Sequence, residues 1–222
     1  MSFFEGSKDI TIRGGTFIAQ RLESSQRAFD FLASKALPSA FHMADADVFH
    51  STCLPNTRVK ILEQLKSWAN RKTMSNAFIM WLNGAAGGGK TAIARTIAQW
   101  CQAEGILLGE FFFSRADGAR DRIGSLAATL AYRMATLTLL PAKDAITEAV
   151  AHDPHIFSAS LAEQITRLVL EPFNREAPSG IVPHVIILDG SMSVCRMLNR
   201  TCSGSAYEDI TSAQSRTTNS SL

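Results

Sequence analysis

Three stretches of the sequence predict an α/β fold with a parallel sheet. Residues 77–82 (AFIMWL) form an apolar run that leads into a glycine-rich loop and then a helical pattern. Residues 106–113 (ILLGEFFF) and 185–189 (VIILD) are further apolar runs, each reached through stretches of helical periodicity. Short continuous apolar runs that alternate with helices are the pattern of strands buried on both faces.

The glycine-rich loop carries the chemistry. Gly84, Ala85, Ala86, Gly87, Gly88, Gly89, Lys90 and Thr91 fit G-x-x-x-x-G-K-[ST], between a strand and a helix as that motif requires. Glycines let consecutive backbone N–H groups curl around one anion, and the helix that follows adds uncapped N–H groups and the positive end of its dipole. Lys90 is the candidate for the β- and γ-phosphates, and the Thr91 hydroxyl for Mg²⁺. Four apolar residues closed by Asp189 form a second signature, with the acid at the carboxyl edge of the sheet, where it can hold Mg²⁺. The fold class is therefore a P-loop NTPase three-layer sandwich, and the expected ligand is a nucleotide.

Composition narrows the alternatives. At 222 residues the chain can bury one α/β core with extensions. A net charge of +2 gives no electrostatic case for nucleic acid or an anionic membrane. Cys53, Cys101, Cys195 and Cys202 have neither metal nor disulfide spacing, which suits a reducing, cytoplasmic setting. The most apolar long run, residues 126–142, contains Arg133 and ends near Pro141, so it reads as a core helix and not a membrane span.

Taken in order, residues 3–20 read as a small hairpin around Gly14-Gly15. A helix follows over 24–36, and Pro38 ends it. Residues 40–58 read as a loop in which His42, His50 and Cys53 are incidental, because a zinc site lacks its fourth ligand. Thr57 is the expected N-cap of a helix running to about residue 70. After the second strand come a polar turn, a helix over 122–139, and another from Pro141 to about 151. Ser160 caps a helix over 161–170, and residues 172–183 read as a loop. From Ser191 the composition turns Ser/Thr-rich without a period and reads as a disordered tail.

Several segments together resemble the NACHT-type P-loop module of fungal signal-transduction NTPases, often described as nephrocystin-3-like in its N-terminal part. They are CLPNTRVKILEQLKSW, IMWLNGAAGGGKTAIARTIAQWC, LLGEFFFSR, LAATLAYRMA and HVIILDG, with ITIRGGTF as the leader. The resemblance implies binding of ATP or ADP with Mg²⁺ and switching between closed and open forms. It assigns the phosphates to the glycines, Lys90 and Thr91, and the first Walker B acid to Asp189. It also implies three parts: an N-terminal hairpin and helix leader (1–40), a truncated module (41–190) and the tail (191–222).

The family continues past Asp-Gly with Leu-Asp-Glu-Cys, whereas here Gly190 is followed by Ser191-Met192-Ser193-Val194. The acids that orient the attacking water are missing, so no catalytic residue is assigned and hydrolysis is expected to be lost unless Glu110 or Asp117 substitutes. In this class a later strand, just past Walker B, separates the P-loop strand from the Walker B strand. With the pattern broken at Gly190, that strand is expected to be absent. The rival readings are a fragment whose leader binds a protein partner while the nucleotide site idles, and a nonfunctional product. Leu-Asp-Glu-Cys written CTC GAT GAG TGT becomes TCG ATG AGT GTN, Ser-Met-Ser-Val, when the first base is deleted. Genomic sequence around this codon is therefore expected to restore Leu-Asp-Glu-Cys in a shifted frame, and a locus with no such frame removes the explanation.

Overall fold

Burial on both faces decides the sheet. A computed structural model describes residues 20–43, 52–70, 79–114, 118, 120, 123–137, 142–176, 184–190 and 193–197. Four strands lie among them: β1 (Ile79–Trp81), β2 (Leu107–Phe112), β3 (His184–Asp189) and β4 (Ser193–Met197). Every residue of β2 and β3 is buried. These two strands pair in parallel, from Leu107 opposite Val185 to Phe112 opposite Asp189, with an irregularity between Leu107 and Gly109.

Helices cover both faces. They are α1 (Gln20–Lys35), α2 (Val59–Ala69), α3 (Lys90–Ala103), α4 (Leu126–Thr136), α5 (Lys143–His152), α6 (Leu161–Ile165) and α7 (Glu171–Glu176). Alternate residues of β3 sort them. Ile186 and Leu188 belong to a core with Leu32 of α1, Leu130 and Met134 of α4, Ile146 of α5 and Phe173 of α7. Val185 and Ile187 join Leu65 and Trp68 of α2 and Ile93, Ile97 and Cys101 of α3. The period of 2 along a strand puts these two cores on opposite faces. The chain is thus mixed α/β, with helices on both sides of one sheet. The expected helix over 122–139 is shorter among the described residues: a 3₁₀ turn, Ile123–Ser125, leads into α4.

The order of strands is β1-β4-β3-β2. This overturns the expectation that the strand between β1 and β3 is absent, and it places Ser193–Met197, read as part of the tail, inside the sheet. β4 runs antiparallel to both neighbours: Cys195 stands opposite Ile79 on one side and Ile186 on the other. The physical reason is twofold. Two facing edges of unpaired N–H and C=O groups favour any segment able to fill the gap. The chain also has only residues 189–192 between the paired Leu188 and Ser193, too few for the crossover a parallel strand needs. Sequence reading weighted the Ser/Thr content and missed this long-range demand.

A second correction concerns Pro172, expected to open a loop. It sits within α7, immediately after a π-helical turn, Thr166–Leu170, that continues α6. Proline cannot donate to the carbonyl four residues back and clashes with it. The wider turn accommodates both facts. The Ser160 cap is observed, with Glu163 N–H donating to its hydroxyl at 3.3 Å. Thr57 is not the cap of α2: Arg58 holds that place with φ +56°, while the Thr57 hydroxyl donates to Leu54 O. The expected hairpin over 3–20 lies outside the described residues.

β2, the last strand of the sheet among the described residues, carries an unforeseen feature. After α1 the chain makes a 3₁₀ turn, Pro38–Ala40, and then buries His42. His42 Nδ1 lies 2.5 Å from Glu110 Oε2, in the middle of β2, and both side chains are essentially inaccessible. His42 is therefore no incidental loop histidine. Arg120 donates to Ser39 O at 3.2 Å, Arg95 to His42 O at 3.4 Å, and Leu37 N–H to the Thr129 hydroxyl at 2.9 Å.

Gly190 closes β3 at φ +153°, and a Cβ there would lie 2.8 Å from Phe113 Cβ. Phe113 cannot retreat easily, because its N–H donates to Asp189 O at 2.8 Å. Gly190→Ala is expected to cost about 1–3 kcal/mol, lowering the melting temperature by about 2–12 °C for a chain of this size. An unchanged melting temperature would show that the β3–β4 turn does not need glycine.

Candidate functional site

The candidate site is built from the end of β1 and the start of α3. The chain leaves Trp81 and passes Asn83, whose side-chain Oδ1 accepts from Gly84 N–H at 2.8 Å. Gly88 N–H then donates to Ala85 O at 3.1 Å, closing a turn. Gly87 and Gly89 both have positive φ, +75° and +79°, a region where other residues are strained. A Cβ on Gly88 would meet Ala85 O at 3.0 Å. Gly89 caps α3 without a side chain, so no side-chain acceptor covers the N–H groups of the first turn. These are the donors that make a helix start receptive to anions.

Lys90 opens α3, and its Nζ donates to Gly84 O at 2.8 Å and Ala85 O at 2.9 Å. The ammonium therefore lies over the loop that its own helix follows. Thr91, half-buried, is the next residue of the helix. Gly84, Ala85, Ala86, Gly87 and Gly88 are all exposed, so the loop is open to a ligand. The structure thus gathers the eight loop residues singled out by sequence into one cradle.

Asp189 is placed by the sheet. β1 and β3 are both antiparallel to β4, so they run in the same direction, and the loop and Asp189 leave the sheet at the same edge. One strand separates them, which is about 10 Å, or two strand spacings. Asp189 is buried and engaged in an interaction within the chain. Glu110 cannot stand in as an acid at this edge. It lies mid-strand on β2, fully buried, and is committed to His42. Asp117 lies outside the described residues. Among the described residues no group of three or more His, Cys, Asp or Glu side chains is arranged to hold a metal ion, and no helix is long and apolar enough to cross a membrane.

Sequence reasoning missed Arg58. Its Nη2 donates to Gly88 O at 3.1 Å, and it would lie 3.9 Å from a Cβ on Gly89. Two left-handed residues, Asn56 at φ +62° and Arg58 at φ +56°, turn the chain so that this side chain reaches the loop. The same segment is tied to α3 by Cys53 N–H, which donates to the Thr96 hydroxyl at 2.9 Å. A cation thirty residues before its partner leaves no local signal; asparagine at 56 was the one hint, since it tolerates left-handed backbone.

The far end of α3 is locked into the core. Cys101 is fully buried, and desolvation, followed by the charges of Glu104 and Glu110, pushes its thiol up to about 12. The thiolate is the reactive form. In the native protein Cys101 is therefore expected to resist alkylation at neutral and mildly alkaline pH, reacting only on unfolding. Mass-spectrometric mapping of alkylated cysteines checks this, and labelling of native Cys101 as fast as a free thiol would show that α3 is not seated as described.

A family model described as nephrocystin 3, N-terminal, matches residues 56–191. The match begins just before Arg58 and spans the loop, α3 and β3. No curated protein and no solved structure matches the chain.

Proposed function

The chain belongs to the nephrocystin 3, N-terminal, family, and from that premise we propose that it is a P-loop NTPase-type, NACHT-like module that binds ATP or ADP with Mg²⁺ as a cytoplasmic signalling switch. The observation that carries this reading is the cradle at residues 84–91. It combines two left-handed glycines, an uncapped helix start and a lysine poised over the loop.

Each residue has a part. Backbone N–H groups of the loop and of the first turn of α3 bind phosphate oxygens. Lys90, now on the carbonyls of Gly84 and Ala85, would turn from them to the phosphates. Exchanging neutral acceptors for anionic ones strengthens its hydrogen bonds. Arg58, fixed on Gly88 O, adds positive charge beside the same loop. The Thr91 hydroxyl and the Asp189 carboxylate are the protein groups suited to Mg²⁺. When bound, the ion would neutralise phosphate charge and orient the phosphates.

Hydrolysis is assigned to no residue. Gly190 is followed by Ser191, with no acid there to position water, and Glu110 is occupied by His42. The reading is therefore of a module that binds without turning over. The competing reading, a protein-interaction fragment working through its leader, predicts no response to nucleotide.

Mg·ADP or Mg·ATP at about a hundred times its dissociation constant is expected to stabilise the protein by about 2.7 kcal/mol, raising the melting temperature by about 5–10 °C. Lys90→Ala should remove most of that shift, with phosphate release near background in both proteins. An equal shift in Lys90→Ala would move the nucleotide elsewhere. Lys90-dependent turnover would refute the loss of hydrolysis.

A further inference from the structure

The chain between α1 and α2 touches the P-loop helix twice, at neighbouring residues. Arg95 of α3 donates to His42 O at 3.4 Å, and the Thr96 hydroxyl accepts from Cys53 N–H at 2.9 Å. Arg95 is five residues beyond Lys90 and buried, its guanidinium stacked 5.1 Å over the Phe112 ring of β2. Residues 38–43 thus form a strap that leaves α1, packs against β2 at Glu110 and touches the helix that starts at the phosphate cradle.

The strap's anchorage is buried, polar and incompletely bonded. His42 Nδ1 meets Glu110 Oε2, yet His42 Nε2 and Glu110 Oε1 have no hydrogen-bond partner among the described residues. Arg133 of α4 comes no nearer than 3.9 Å to Glu110 Oε1, and its guanidinium stacks 5.3 Å over Phe41 of the strap. Taking a carboxylate and its partner out of water costs much of what their mutual attraction returns, so a buried pair of this kind adds little net hold on the strap. A ligand that favours the docked position then shifts the strap by as much as its affinity differs between the docked and released forms. The bias available here is the position of α3, which reaches the strap through Arg95.

We propose that the strap is a latch read by the nucleotide site: phosphate in the cradle fixes α3, α3 holds His42 through Arg95, and the strap with α1 stays docked. This rests on the nucleotide-binding reading of the cradle. Linkage makes the coupling reciprocal: nucleotide binds the released form more weakly than the docked form by the same factor by which it suppresses release.

Hydrogen exchange of the full chain with and without saturating Mg·ADP, read by mass spectrometry, tests this. In the wild type, Mg·ADP is expected to protect amides of residues 84–93 and to slow exchange over 39–43 by about fivefold or more, the lower end of usual coupling between sites. Arg95→Met should keep the first effect and lose the second. Glu110→Gln, which retains shape while removing the carboxylate, should speed strap exchange without nucleotide, and Mg·ADP should slow that faster exchange by about the same factor as in the wild type. It serves if Arg95→Met fails to fold. Protection at the cradle with strap exchange that Mg·ADP leaves unchanged, in the wild type or in Glu110→Gln, would overturn the latch and leave the nucleotide reading standing. No protection at the cradle would overturn both.

Discussion

The sheet depends on β4 being hydrogen-bonded along both of its edges. β1 meets no other strand among the described residues, and β3 reaches β1 only through the residues around Cys195. Remove that ladder and β1, three residues long, keeps only its packing on the two helical layers. The backbone groups freed on β1 and β3 would then need water inside a core that excludes it. The direction in which the chain leaves Trp81, and so the seat of the glycine loop and of α3, follows from this one pairing. The antiparallel sense of β4 does not disturb it, because two reversals return β1 to the direction of β3.

Much of this was legible in the sequence, and the pattern of what was not is physical. The loop at 84–91, the buried strands ending near Phe112 and Asp189, and the apolar faces of α1 to α3 declare themselves through spacing within a dozen residues. Interactions between distant segments do not. Arg58 meets Gly88 O across 30 positions, and His42 meets Glu110 across 68. The strand at Ser193–Met197 has modest intrinsic preference and is decided by the edges it fills, an instance of tertiary context overriding composition. Pro172 failed as a stop signal because the π-turn before it supplied the room that an α-helix denies.

Two carboxylates on adjacent strands show how position decides chemistry. Asp189 ends β3 at the edge where the loop also emerges. Glu110 sits two pairs back on β2, where no ligand can approach, and its charge is spent on His42 and, more distantly, Arg133. Removing one partner of a buried pair of this kind costs about 3–5 kcal/mol, while replacing the whole pair by apolar groups is often neutral. The pair at the strap is better understood as fixing where residues 38–43 lie than as a net source of stability.

The reversed strand also sets a polarity for what comes after it. β4 begins opposite Leu188, at the edge where the glycine loop emerges, and ends with Met197 opposite His184. Its last residue therefore stands at the other rim of the sheet, about 13 Å from its first at the usual rise per residue. A strand running the other way would have delivered the chain back to the edge that carries the loop. Here β4 ends at the rim opposite the glycine loop, so a fluorophore or affinity handle joined after Met197 starts about the length of the strand away from that loop.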